Sequence, residues 1–129
     1  PRRCGWFDAV AVRYSAMVNG ATCVALTLLD VLSTFETVKI CTHYMIDGKE
    51  VRMFPGDAEI LEKAVPVYEE LPGWSEDISK IKSFDDLPTN AKKYVARVAE
   101  LIETPICLVG VGPRRDQSII LDPEMLNME

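Results

Sequence analysis

The 129 residues are 48% apolar and 26% charged, ordinary usage for a globular chain and enough for one domain with a modest core. A net charge of −6 argues against nucleic acid as a general partner, because binding phosphates needs a basic face. No apolar run approaches the roughly 20 residues that cross a bilayer and nothing reads as a secretory signal, so the expectation is no membrane and a cytoplasmic address.

The opening PRRCGW has no initiator methionine, strand or cap, which suggests a segment of something longer. Asp8 is placed to cap a helix over 9–19, whose apolar residues cover most of its surface, and Gly20 suits its end; the pattern predicts a buried helix. Residues 22–29 are continuously apolar and rich in β-formers, predicting a strand covered on both faces that ends at Asp30. Segments 37–46 and 51–54 flank Asp47-Gly48, a two-residue hairpin signal. A short helix over 57–64, a returning strand over 66–70 and a turn-rich loop over 71–77 follow, with Trp74 as a packed aromatic corner. Thr89 is placed to cap a helix with Ala91, Tyr94, Val95, Val98, Leu101 and Ile102 on one face. A buried strand over 105–109 runs into Gly110-Val111-Gly112-Pro113, and 118–121 is the last strand. With no repeat and no linker, 1–129 reads as a single α/β segment: a mixed sheet with buried strands, helices and a β-hairpin.

Cys4, Cys23, Cys41 and Cys107 show no C-x-x-C spacing, and the last three sit in apolar runs, which describes reduced, buried thiols rather than metal ligands or a disulfide framework. His43 is the single histidine, so no histidine cluster can hold a metal. The doublets Arg2-Arg3 and Arg114-Arg115 can meet a phosphate, although solvated surface arginines are the plainer reading and Arg115 or Arg114 can instead pair with Asp116.

In α/β sheets ligands collect at the carboxyl ends of strands, and both Asp30 and the Gly110–Gly112 run fall at such ends. An ionised carboxylate in apolar surroundings needs a donor. Asp30 can accept two N–H bonds from a guanine edge, and glycines let a backbone approach a flat base, so a purine fits there. Equally, Asp30 can cap a turn; both readings stand at this level.

The blocks PRRCGWFDAVAVRYSAMVNG, LTLLDVL, VKICTHYMIDGKEV, PVYEELPGWSED and GVGPRRDQSIIL, in this order and spacing, resemble the C-terminal part of the adenylosuccinate synthetase family over nearly the whole chain. The resemblance implies the C-terminal segment of a larger α/β GTP-binding enzyme, a ligase of purine biosynthesis. In that family GTP phosphorylates the 6-oxygen of IMP with Mg²⁺ assisting, and L-aspartate displaces the phosphate to give adenylosuccinate. A homodimer is implied for the full-length protein. The family's phosphate loop, catalytic aspartate and histidine, and Mg²⁺ site lie in the N-terminal part, so no catalytic or metal residue is expected here and the segment alone is expected to be inactive.

Residue by residue, Arg2 matches an arginine that contacts GTP at the end of the family's arginine-rich loop. The T-K-L-D guanine motif matches Thr27-Leu28-Leu29-Asp30, making Asp30 the guanine reader with Leu28 and Leu29 beside it. The S-T-G-P loop matches Gly110, Val111, Gly112 and Pro113, the other wall of the base site. Two positions depart from the pattern: Leu28 stands where lysine is common and Gly110 where serine is common. The alternative from a different class is a stand-alone nucleotide-binding or interaction module without enzymatic activity.

Overall fold

The computed structural model describes residues 6–121. Strand β1 (Phe7–Asp8) leads into helix α1 (Ala9–Val18), which Asp8 caps by accepting the Ala11 N–H at 3.1 Å. The other Asp8 oxygen accepts the Tyr44 hydroxyl, so one carboxylate starts the helix and ties it to the sheet. Helix α1 is less buried than its composition predicts. Only Ala9, Val10 and Ala16 are covered, while Tyr14, Met17 and Val18 face outward.

Strand β3 (Thr37–Ile46) is the spine of the first sheet. It pairs in parallel with β1 and antiparallel with β4 (Lys49–Val51) on one edge, and antiparallel with β5 (Val65–Pro72) on the other. Asp47 and Gly48 close the predicted hairpin with φ of 52° and 78°, the double left-handed geometry that the Asp-Gly pair tolerates. The β3–β5 register shifts between Cys41 and His43. Such a bulge inverts the side-chain alternation beyond it. Val38 and Ile40 therefore enter the larger core, whereas Cys41, Tyr44 and Ile46 pack with Val10 in a second, smaller one.

A second sheet has the order β2-β6-β7. Strand β2 (Val24–Leu26) runs parallel to β6 (Ile106–Gly110), which pairs antiparallel with β7 (Ser118–Ile120). The expected α/β class with mixed sheets is thus present, divided into two sheets rather than one. The first buried strand is shorter than 22–29 and is not covered on both faces, since Ala25 is exposed. It stops because Leu28 adopts a left-handed conformation and residues Leu29–Thr34 wind into a 3-10 turn.

Helix α2 (Ala58–Glu62) is a single exposed turn. Helix α3 (Thr89–Ile102) carries the predicted stripe, with Ala91, Tyr94, Val95, Val98 and Ile102 buried. Its N-cap is Pro88 and no side chain caps it, so Thr89 occupies the first helical position instead of the cap. Arg97 leaves the apolar face to grip Glu69 of β5 through two bonds of 2.7 Å. Trp74 is buried as expected, lies 5.7 Å from the Tyr94 ring and donates its indole N–H to the Ser33 hydroxyl at 3.0 Å.

The cysteine expectation is corrected. Cys23 and Cys107 form a disulfide, with Cα atoms 5.7 Å apart. The parallel register pairs Val24 with Ile106 and Ala25 with Leu108, and the shift between them leaves Cys107 unpaired beside β2, within reach of Cys23. Nothing in a separation of 84 residues announces that pairing to a reader of the sequence. Cys23 is moreover exposed and Cys107 half-buried. Cys41 is the buried free thiol, and burial together with the nearby Asp8 charge pushes its pKa up to about 11. Cys4 lies outside the described residues.

Candidate functional site

Parallel pairing brings the carboxyl ends of β2 and β6 to one edge of the second sheet. Thr27 to Asp30 leave the first strand there and Val111 to Arg115 leave the second. The two segments touch. A Cβ on Gly110 would lie 3.3 Å from the Thr27 Cα and 3.6 Å from the Leu28 backbone nitrogen, so the absent side chain permits this approach. A ligand therefore meets the ends of these segments and does not slide between the strands.

The sequence-predicted residues separate by what they present. Asp30 sits in the first turn of the 3-10 segment, partly exposed, and its Oδ1 is buried without a hydrogen-bond partner among the described residues. A buried carboxylate oxygen without a hydrogen-bond partner is costly. The turn that holds it is pinned from behind by the Trp74–Ser33 bond.

Leu28 is 53% exposed and has φ 61°, a conformation that costs a residue with a Cβ energy. It projects an aliphatic side chain beside Asp30. Leu29, by contrast, is 1% exposed and belongs to the core, leaving only its backbone for a ligand. Val111 is also fully buried, and its N–H is committed to the Gln117 carbonyl at 2.8 Å. Gly112 is half-exposed at the turn beyond it. Arg2 lies outside the described residues. Arg114 and Asp116 pair at 3.3 Å on the surface, the bland outcome open to that doublet.

Reading the sequence alone missed Gln117. Its side chain spans the glycine loop and the preceding 77–83 loop, contacts that join positions far apart in the chain and leave no local signal. His43, in β3, rests its Nδ1 on the Thr42 hydroxyl at 2.9 Å and its Nε2 near Glu50, away from this edge. A groove of about 560 Å³, lined by Val10, Arg13, Tyr14, Met17, Met53 and Phe54 among others, includes none of the edge residues. Among the described residues no three His, Cys, Asp or Glu side chains converge.

A carboxylate just past the carboxyl end of one parallel strand, with a glycine-containing loop leaving the end of the other, lies where α/β sheets collect ligands. The comparisons make the assignment specific: residues 1–119 match the family model described as adenylosuccinate synthetase, and the chain belongs to that family. It is 59% identical over 121 residues to the adenylosuccinate synthetase of Geotalea daltonii and 56% identical over 121 residues to that of Trichlorobacter lovleyi, in each case covering 94% of this chain. The chain spans 28% of the length of those relatives. A solved structure, the fully ligated adenylosuccinate synthetase from Plasmodium falciparum, superposes with a TM-score of 0.89 at 40% identity, covering 95% of this chain and 30% of that one.

Proposed function

We propose that this segment forms the guanine-base side of the GTP site in a GTP-dependent ligase that joins IMP and L-aspartate. Adenylosuccinate, GDP and phosphate are the products. The observation that carries the reading is the bare, buried Oδ1 of Asp30, at the position of the family's guanine motif. Guanine offers its N1–H and its 2-amino group to one carboxylate, satisfying the orphaned acceptor. Adenine has an acceptor at N1 and no 2-amine, and would leave that oxygen unpaired in a desolvated place.

Leu28 covers part of the base plane, the backbone of Leu29 and of the Gly110–Gly112 run completes the rim, and Arg2 reaches GTP from the arginine-rich loop. Mg²⁺ and the acid–base residues belong to the part of the enzyme that precedes this segment. The protein works as a cytoplasmic homodimer, with neither nucleic acid nor membrane as partner; no helix among the described residues is long and apolar enough to cross a bilayer.

Asp30→Asn in the full-length enzyme tests this. Hydrogen bonds to a charged group contribute about 1.5–3 kcal/mol each, so the GTP KM should rise and the GTP:ATP ratio of kcat/KM should fall on the order of tenfold or more. KM values for IMP and aspartate should stay nearly unaltered. An unchanged GTP:ATP ratio makes Asp30 a structural cap and removes the assignment.

A further inference from the structure

Gln117 makes four hydrogen bonds, and all of them shape the loop that follows β6. Its backbone carbonyl accepts the Val111 N–H at 2.8 Å and its own N–H donates to the Arg114 carbonyl at 3.0 Å, closing the turn on itself. The side-chain Oε1 accepts the Arg114 N–H at 3.1 Å. Its Nε2 donates to the Ser79 carbonyl at 3.2 Å, tying the turn to the 77–83 loop. Lys82 repeats the tie by donating to the Asp116 carbonyl at 3.1 Å. The Ser79 end is itself fixed, since its N–H donates to Asp77 Oδ1 at 2.9 Å and this bond holds the Asp77 carboxyl below its usual range.

The second glycine of the loop lies against the same side chain. A Cβ on Gly112 would fall 2.3 to 2.5 Å from the three terminal atoms of the Gln117 amide. A side chain at position 112 would therefore have to displace the Gln117 amide.

We infer that Gln117 is a positioning residue for base recognition: seated against Gly112 and strapped to the 77–83 loop, it fixes the backbone of residues 111–115 as the rim opposite Asp30. The inference rests on the guanine-site reading above. Without the amide the turn loses its side-chain bonds to Arg114 and Ser79, and the rim becomes mobile while the catalytic groups stay where they are. The loss then falls on GTP binding and not on turnover.

The test is a double-mutant cycle in the full-length enzyme with Gln117→Ala, Gly112→Ala and the pair, with Asp30→Asn run alongside. Gln117→Ala should raise the GTP KM roughly five- to tenfold, the equivalent of about one net hydrogen bond, with kcat and the IMP and aspartate KM values within about twofold of the parent. Gly112→Ala should do the same by displacing the amide. In the pair the added methyl no longer meets the Gln117 amide, so the combined effect should be smaller than the product of the two single effects. If Gln117→Ala fails to fold, Gln117→Glu keeps the acceptor for Arg114, loses the donor to Ser79 and should give an intermediate GTP KM. A parental GTP KM in the folded Gln117 variant, or single effects that multiply in the pair, overturns the inference. If Asp30→Asn leaves the GTP:ATP ratio unchanged, the guanine reading falls and this inference falls with it; if that ratio collapses while the Gln117 variant binds GTP like the parent, only the role of Gln117 is lost.

Discussion

A leucine held at φ 61° and more than half exposed is a poor choice for stability alone. The left-handed region costs a side chain with a Cβ roughly 1–2 kcal/mol, and an exposed leucine recovers little of that by packing. Leu28→Gly should thus stabilise the fold by up to about 1 kcal/mol, read as a rise in the unfolding midpoint, while raising the GTP KM because the base loses an apolar contact. Leu28→Lys should lower the GTP KM by adding an ammonium above an aliphatic stem. Glycine that binds GTP as well as leucine does would show that the side chain has no part in the site. At this scale the sequence was informative where chemistry is isolated: Asp30 stands out because it interrupts an apolar run. It was silent on the left-handed backbone of Leu28, set by the sharp exit from β2, and on Gln117, whose bond to Ser79 spans 38 residues. It also treated Leu29 and Val111 as equal members of the site, although their side chains lie in the core.

Elements with a local cause were legible in advance. The Asp8 cap, the Asp47-Gly48 turn and the stripe of α3 each follow from residues within a few positions of one another, and all three are present. Elements decided by distant partners were not. The extent of β2 and the pairing of Cys23 with Cys107 depend on β6, which arrives late in the chain. That crosslink closes a long loop, and constraining the unfolded chain in this way contributes about 4.5 kcal/mol in the chain-entropy account. A reductant should accordingly lower the unfolding midpoint, and thiol titration of denatured, unreduced protein should find two fewer thiols than the four present after reduction. Recovery of all four without reductant removes the crosslink. The clasp between β5 and α3 gives a pH signature. The Arg97 hydrogen bonds hold the Glu69 carboxyl below its ordinary range, so its folded pKa lies under its unfolded one. The stability it adds is therefore complete above the unfolded value near about 4.3 and disappears as pH falls through the folded value. Glu69→Gln should melt below the parent at pH 7, with the gap closing toward pH 3; a gap independent of pH would assign the effect to packing.

On the scale of the whole molecule, the described residues hold no convergent set of three metal-ligating side chains. Phosphoryl transfer depends on charge positioned around the phosphates. The 129-residue chain alone should therefore form no adenylosuccinate from GTP, IMP and aspartate in a coupled assay, and detectable turnover would contradict the division of labour proposed here. The same architecture bears on how the site comes into being during synthesis. Asp30 follows a strand whose parallel partner begins only at Ile106, so the acid leaves the ribosome long before the glycine loop exists. At roughly 5–20 residues per second, several seconds of translation separate the two. Over that interval the hairpin of β3 and β4 and the turns of α3 can close through short-range contacts, but the nascent chain has no rim for a purine. On the proposed guanine-site reading, nucleotide capture waits until synthesis has run past β7, and GTP should stabilise chains that carry both sides of the site while leaving shorter ones untouched.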